Sequence, residues 1–174
     1  MSSKRARLVD QYQSFMKSTE LVPLIRIIGI ILYFFIAAQG AFYHFGFGKA
    51  LYQIPSEHFI ELRKAVDPVV RSKFKVLYLS ALVVMFVWFL ISDKSAGFWS
   101  YGFVLLAFIF LIADMVLILK FSEPVNELIN SDLLNTEKGY SNARSEWLKF
   151  ILIRGYLSLT GFAMLIIHLA FKPR

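Results

Sequence analysis

The chain has 174 residues, 57% hydrophobic and 17% aromatic, whereas a soluble domain runs about 45–50% apolar, so a soluble fold is excluded and one small membrane bundle is expected. The formal net charge of +7 would point to nucleic acid on a soluble module; here it reads as loops and tails facing anionic headgroups, and no nucleic-acid partner is expected. The absence of cysteine excludes disulfides, thiolate metal sites and membrane thiol oxidoreductases that work through paired cysteines.

In chain order, residues 1–17 are polar and basic, and the apolar block after them is too long for a signal-peptide core. It reads as a retained first span over about 21–47. Further apolar blocks give spans over about 76–92, 98–121 and 148–171, each close to the roughly 20 residues that cross about 30 Å of hydrocarbon. The expected architecture is all-α, a single four-helix transmembrane bundle in contact with the lipid bilayer. Asp93-Lys94-Ser95-Ala96-Gly97 is a tight turn, and the two longer connections share the opposite side.

Those connections carry helix signals. Ser56 reads as an N-cap for a connection helix over 56–66, with Phe59, Leu62 and Val66 at helical spacing. Asp67-Pro68 reads as a second start leading into span two. Pro124 is expected to break or kink the end of span three. Ser141 or Asn142 is expected to cap an extended start of span four. Lys and Arg are denser in the tails and short turn than in the connections, which favours both termini in the cytoplasm of a protein of the cell membrane, whereas the raw count of Lys and Arg is higher in the connections.

The polar groups inside the apolar blocks fall in one layer. Arg26, Asp93, Lys94 and Lys172 mark the terminal side. His44, Lys75 and Arg154 each lie 18 residues from one of these anchors, about 27 Å along a helix, and Asp114 lies 20 away, about 30 Å. Helical phase groups Gly29, Tyr33, Ala37, Gly40 and His44 on span one, and Tyr78, Ala81, Met85, Trp88 and Ser92 on span two. It groups Phe103, Ala107, Phe110 and Asp114 on span three, and Trp147, Arg154, Ser158, Gly161 and His168 on span four. Small and polar residues mark the faces where membrane helices meet. Asp114, too short to snorkel and flanked by apolar neighbours, wants a partner and is expected to meet Arg154. The same layer suits a pocket at the mouth of the bundle, with His44, Tyr43 and Gln39 nearby. It also suits an interfacial belt in which Lys75 and Arg154 snorkel and Trp147 anchors, and both readings stand.

Three histidines cannot build a histidine-rich di-iron site, and HExxH, GxSxG and phosphate-binding glycine patterns are missing. No metal and no cofactor are expected. Gly40-Ala41-Phe42, Leu51-Tyr52-Gln53-Ile54-Pro55, Phe59-Ile60 with Asp67, Ser122-Glu123-Pro124-Val125-Asn126, and Trp147-Leu148-Lys149-Phe150 before Arg154 together resemble the anthrone-oxygenase-like family of small four-span membrane proteins. The likeness covers nearly the whole chain in span order and loop length. Where the family carries Asn-x-Pro-x-Asn, Ser122 replaces the first Asn; Phe150-Ile151 replaces an aromatic-Asn pair before the arginine. The resemblance implies a pocket that includes Asn126 and Trp147. It also implies an oxidoreductase acting, without metal or flavin, on a hydrophobic aromatic or quinone-like small molecule. A non-catalytic accessory or interaction protein is the alternative, and proton-coupled transport through Asp114 is a third reading. Whether the chain is an enzyme, and which protein partners it has, stay open.

Overall fold

The computed structural model describes residues 21–171 other than 96 and 132. Of the terminal-side anchors, Lys172 lies outside the described residues, as do the polar and basic residues 1–17. Four helical runs are each long and apolar enough to cross a membrane: Leu21–Gln53, Ser56–Ile91, Phe98–Asn130 and Glu137–Ala170. The protein is a multi-pass membrane protein, an all-α four-helix bundle.

The first run comprises α1 (Leu21–Phe42), a π turn (Tyr43–Phe47) and α2 (Gly48–Gln53). Gly46 kinks the backbone inside that turn at φ +136°, a conformation that a residue with a Cβ rarely adopts. The second run is a single helix, α3 (Ser56–Ile91). The third comprises α4 (Phe98–Leu117), a second π turn (Ile118–Ser122) and α5 (Glu123–Asn130), and the fourth is α6 (Glu137–Ala170).

Three local expectations are corrected. The connection helix over 56–66 is not separate, and Asp67-Pro68 does not start a new one, because α3 runs unbroken through Pro68. An interior proline forfeits one backbone hydrogen bond. Here Phe59, Ile60, Arg63 and Asp67 are buried along the turns that lead into Pro68. Asp67 is committed to Arg63 and Asn130, not to a cap. Nor does Ser56 cap the helix; it is the first helical residue, and its hydroxyl donates to Glu137 at the start of α6. Second, Pro124 does not stop its helix. It sits at the start of α5, directly after the π turn, and the wider turn makes room for a ring that has no N–H to give. Third, α6 begins at Glu137, ahead of Ser141 and Asn142. Thr136 caps it, its hydroxyl accepting from the Gly139 N–H at 3.2 Å.

Helix α6 packs most extensively against α4, and also against α1 and α3. The buried faces of α1 and α3 carry Gly29, Tyr33, Ala37 and Gly40, and Tyr78, Ala81, Met85 and Trp88. On α4 the expected stripe is rotated. Phe103 and Phe110 are only partly buried, and Gly102, Val104, Ala107, Leu111 and Asp114 face the core. Close approach sets this geometry: a Cβ on Gly40 would lie 2.6 Å from the Gly155 Cα. Ile31, Val83, Phe86, Ile109 and Ile166 are exposed outside the bundle, the surface that lipid covers.

The buried residues form two clusters. A deep one centres on Tyr33, Met85, Trp88, Val104, Ala107 and Leu165. A second, on the connection side, centres on Leu51, Phe59, Ile60, Ile129, Trp147 and Leu148.

Candidate functional site

Where the two clusters meet, three helices bring polar groups inward. Asp114 of α4 is completely buried. One of its carboxylate oxygens accepts from Arg154 Nε of α6 at 2.8 Å, and the other accepts from the Tyr78 hydroxyl of α3 at 2.5 Å. Arg154 Nη2 closes the triangle by donating to the Tyr78 oxygen at 3.0 Å. An aspartate at this depth in an apolar helix needs such partners, because hydrocarbon supplies none.

A second network lies nearer the connections. Arg63 Nη2 donates to Asp67 at 3.1 Å within α3, and the Asn130 amide donates to the other Asp67 oxygen at 2.8 Å. The Trp147 indole N–H donates to the Asn126 side-chain oxygen at 2.9 Å, and Arg63 Nη2 lies 3.4 Å from that same oxygen. The Arg63 guanidinium sits 4.4 Å from the Trp147 ring centroid, a cation–π geometry. Tyr43 and Phe59 meet the same indole edge-on, each at 5.6 Å.

Between the networks lies a cavity of about 930 Å³. Of the residues singled out from sequence, Gln39, Tyr43, Asn126, Trp147 and Arg154 line it. Asp114 does not reach its wall; it lies behind Arg154 and Tyr78. His44 is not in the wall either. Its Nε2 is 3.0 Å from the Leu152 carbonyl, and its ring packs at 4.2 Å on Tyr156. It keeps the expected depth, level with Leu152 and Gly155. It also stays on the Gly40 side of the first run, both residues packing against Gly155 of α6, and so it meets that helix and not the cavity wall. Lys75 does line the cavity.

Tyr78, Arg63, Asp67 and Arg71 also belong to this region without having been singled out as site residues. For Tyr78 the signal was its position one turn after Lys75, in the same charged layer. For Arg63 and Asp67 it was i, i+4 spacing on a helix, hidden by the reading of Asp67 as a cap. Arg71 reaches Glu123 at 2.6 Å across α3 and α5, a pairing with no local sequence signal.

Chemically, the walls offer guanidinium, amide and phenol groups beside aromatic and aliphatic surface. Among the described residues, no group of three or more His, Asp or Glu side chains could hold a metal ion. Such walls suit recognition of a hydrophobic body that carries hydrogen-bond acceptors. No protein-family model, curated protein or solved structure matches this chain.

Proposed function

We propose that the protein binds a hydrophobic small molecule in this cavity at the mouth of the bundle. The observation that carries the reading is the cavity itself: about 930 Å³, at the upper end of the roughly 300–1,000 Å³ typical of ligand pockets. Its apolar walls include Leu82, Met115 and Phe150, and Arg154, Asn126 and Trp147 supply a few convergent polar groups. Interhelical space of that size is not needed to close a four-helix bundle, whose interior otherwise packs to the density of an organic crystal.

The resemblance to anthrone-oxygenase-like proteins extends the proposal to an oxidoreductase acting on a flat aromatic or quinone-like compound. In that reading Tyr78 and Arg154 hold the substrate oxygen, and Asp114 holds both of them in place through its two carboxylate oxygens. The proposal puts both termini in the cytoplasm, supported by the density of Lys and Arg in the tails and short turn, and cysteine-accessibility labelling of each end in whole cells checks it.

Native mass spectrometry and saturation binding on the detergent-purified protein test the binding reading, with 1,4-naphthoquinone as the probe. Saturable binding that competes with any co-purifying small molecule supports it. Absence of both, together with stable co-purification of another protein, would replace it by a non-catalytic accessory role.

A further inference from the structure

We infer that the molecule bound here is an anionic amphiphile taken up from the connection-side leaflet, its acidic group held at Lys75 and the neighbouring arginines and its apolar body lying deeper along α3. The inference rests on the binding reading above and names the chemical class of its ligand.

The charges of the cavity wall do not balance within the protein. Arg63 is paired with Asp67, Arg71 with Glu123 and Arg154 with Asp114. Lys75 also lines the cavity, and no ion pair or hydrogen bond links it to any described residue. The paired arginines keep donors in reserve as well. A guanidinium carries five N–H groups, and the buried Nε of Arg63 meets no acceptor. The surplus is therefore one of positive charge and of donors, and a carboxylate or phosphate oxygen is what satisfies both.

Position along the membrane normal gives the ligand its polarity. Arg71, Lys75, Leu79 and Leu82 all line the cavity and follow one another at i, i+4, i+8 and i+11, a single stripe of α3. Over about 16 Å that stripe passes from charged to apolar. Opposite it, the third run passes in the same direction from Glu123 to Met115. The wall is amphipathic from end to end, head at the connections and body toward the bilayer centre. Leu79 is 50% exposed and Leu119 62% exposed, so the wall is open sideways to lipid midway along its length, between α3 and the second π turn. Simple snorkelling of Lys75 to the interface is the competing account; it predicts no effect of Lys75 on any ligand.

The test uses 1-pyrenebutyrate and its methyl ester, identical hydrophobes with and without the charge, and follows energy transfer from tryptophan in the full-length purified protein. Lys75→Gln is compared with wild type and with Lys149→Gln, a charge-matched change outside the cavity. Partition into detergent is common to all three proteins and cancels in the ratios. Lys75→Gln is expected to weaken the acid by about three- to fivefold, the scale of one partly exposed charge pair. It should leave the ester within about twofold, and Lys149→Gln should change neither. An acid-to-ester ratio unchanged by Lys75→Gln, with the ester still binding saturably, overturns the anionic inference and leaves the hydrophobic site standing. Saturable binding of neither probe removes both. If the acid is favoured, nanodiscs with and without phosphatidylglycerol identify the source. Displacement of the acid by that lipid assigns a phospholipid headgroup; no displacement assigns a free amphiphilic acid. Either result supports the inference.

Discussion

The deep half and the connection half of this bundle solve the same packing problem in different ways. In the deep half, Tyr33, Ala81, Met85, Trp88, Val104 and Ala107 are buried to 3% exposure or less. Three hydroxyls there close onto backbone within the protein: Tyr33 on the Ala107 carbonyl at 2.9 Å, Ser92 on the Trp88 carbonyl at 2.8 Å, Ser158 on the Gly155 carbonyl at 3.1 Å. None of the three needs a charge. The connection half uses buried ion pairs, cation–π contact and a cavity to hold the same four runs. Replacing a buried ion pair by hydrophobic residues of similar volume is often neutral or stabilising. The charges of the connection half are therefore poorly explained by folding alone, and the proposed site would give them a use.

The largest expected effect breaks that contrast at Asp114. Asp114→Leu strands the Arg154 guanidinium and is expected to cost about 3–5 kcal/mol, seen as a fall in the detergent unfolding midpoint and in accumulation. The double variant Asp114→Leu/Arg154→Met should recover most of the loss. A double variant as unstable as the single would make the pair a folding contact and remove the distinction between the halves. Next comes the deep half itself. A Cβ on Gly161 would meet the Tyr33 hydroxyl, and would lie 3.2 Å from the Phe110 Cβ. Gly161→Ala should thus displace the Tyr33 hydroxyl from Ala107, at a cost of about 1–3 kcal/mol by overpacking, measured by the same unfolding assay. Tolerance of that methyl group would mean the deep half is looser than its burial implies.

These residues also show what sequence could reveal. Four apolar blocks, and the common depth of Asp114 and Arg154, were legible because a helix converts residue count into height at a fixed rise. Azimuth was less so. The stripe on α4 was misplaced at Phe103 and Phe110, since apolar residues surround that helix and only packing selects the face. His44 kept both its height and its side, facing Gly155 of α6 as Gly40 does; what the sequence did not reveal is that the cavity opens on another side of the first run. Asp67 was the larger miss. An Asp-Pro pair carries a strong local start signal, and only a tertiary partner, Asn130 on α5, could reveal that the helix continues through it.

A smaller effect is expected within the connection half. Trp147→Phe keeps the aromatic contacts to Tyr43 and Phe59 but removes the donor to Asn126. It should cost about 1 kcal/mol and lower affinity for a ligand that uses the Asn126 oxygen's neighbourhood. Unfolding and naphthoquinone titration on the same preparation separate the two consequences.

The smallest expected change in stability is at Arg71. Its pair with Glu123 is short at 2.6 Å, but the arginine side chain is 45% exposed and the glutamate 28%, so solvent or headgroup screening leaves Arg71→Gln a cost of at most about 0.5–1 kcal/mol. The pair nonetheless joins α3 to α5 at the charged end of the cavity, where a ligand's acidic group would have to pass or settle. Its removal should therefore appear in binding kinetics and hardly at all in the unfolding midpoint. A faster dissociation of 1-pyrenebutyrate from Arg71→Gln at near-native stability would place the pair at the cavity mouth as a latch. A drop in stability as large as that of Asp114→Leu would instead make it part of the fold, and the connection half would then be held together by its charges after all.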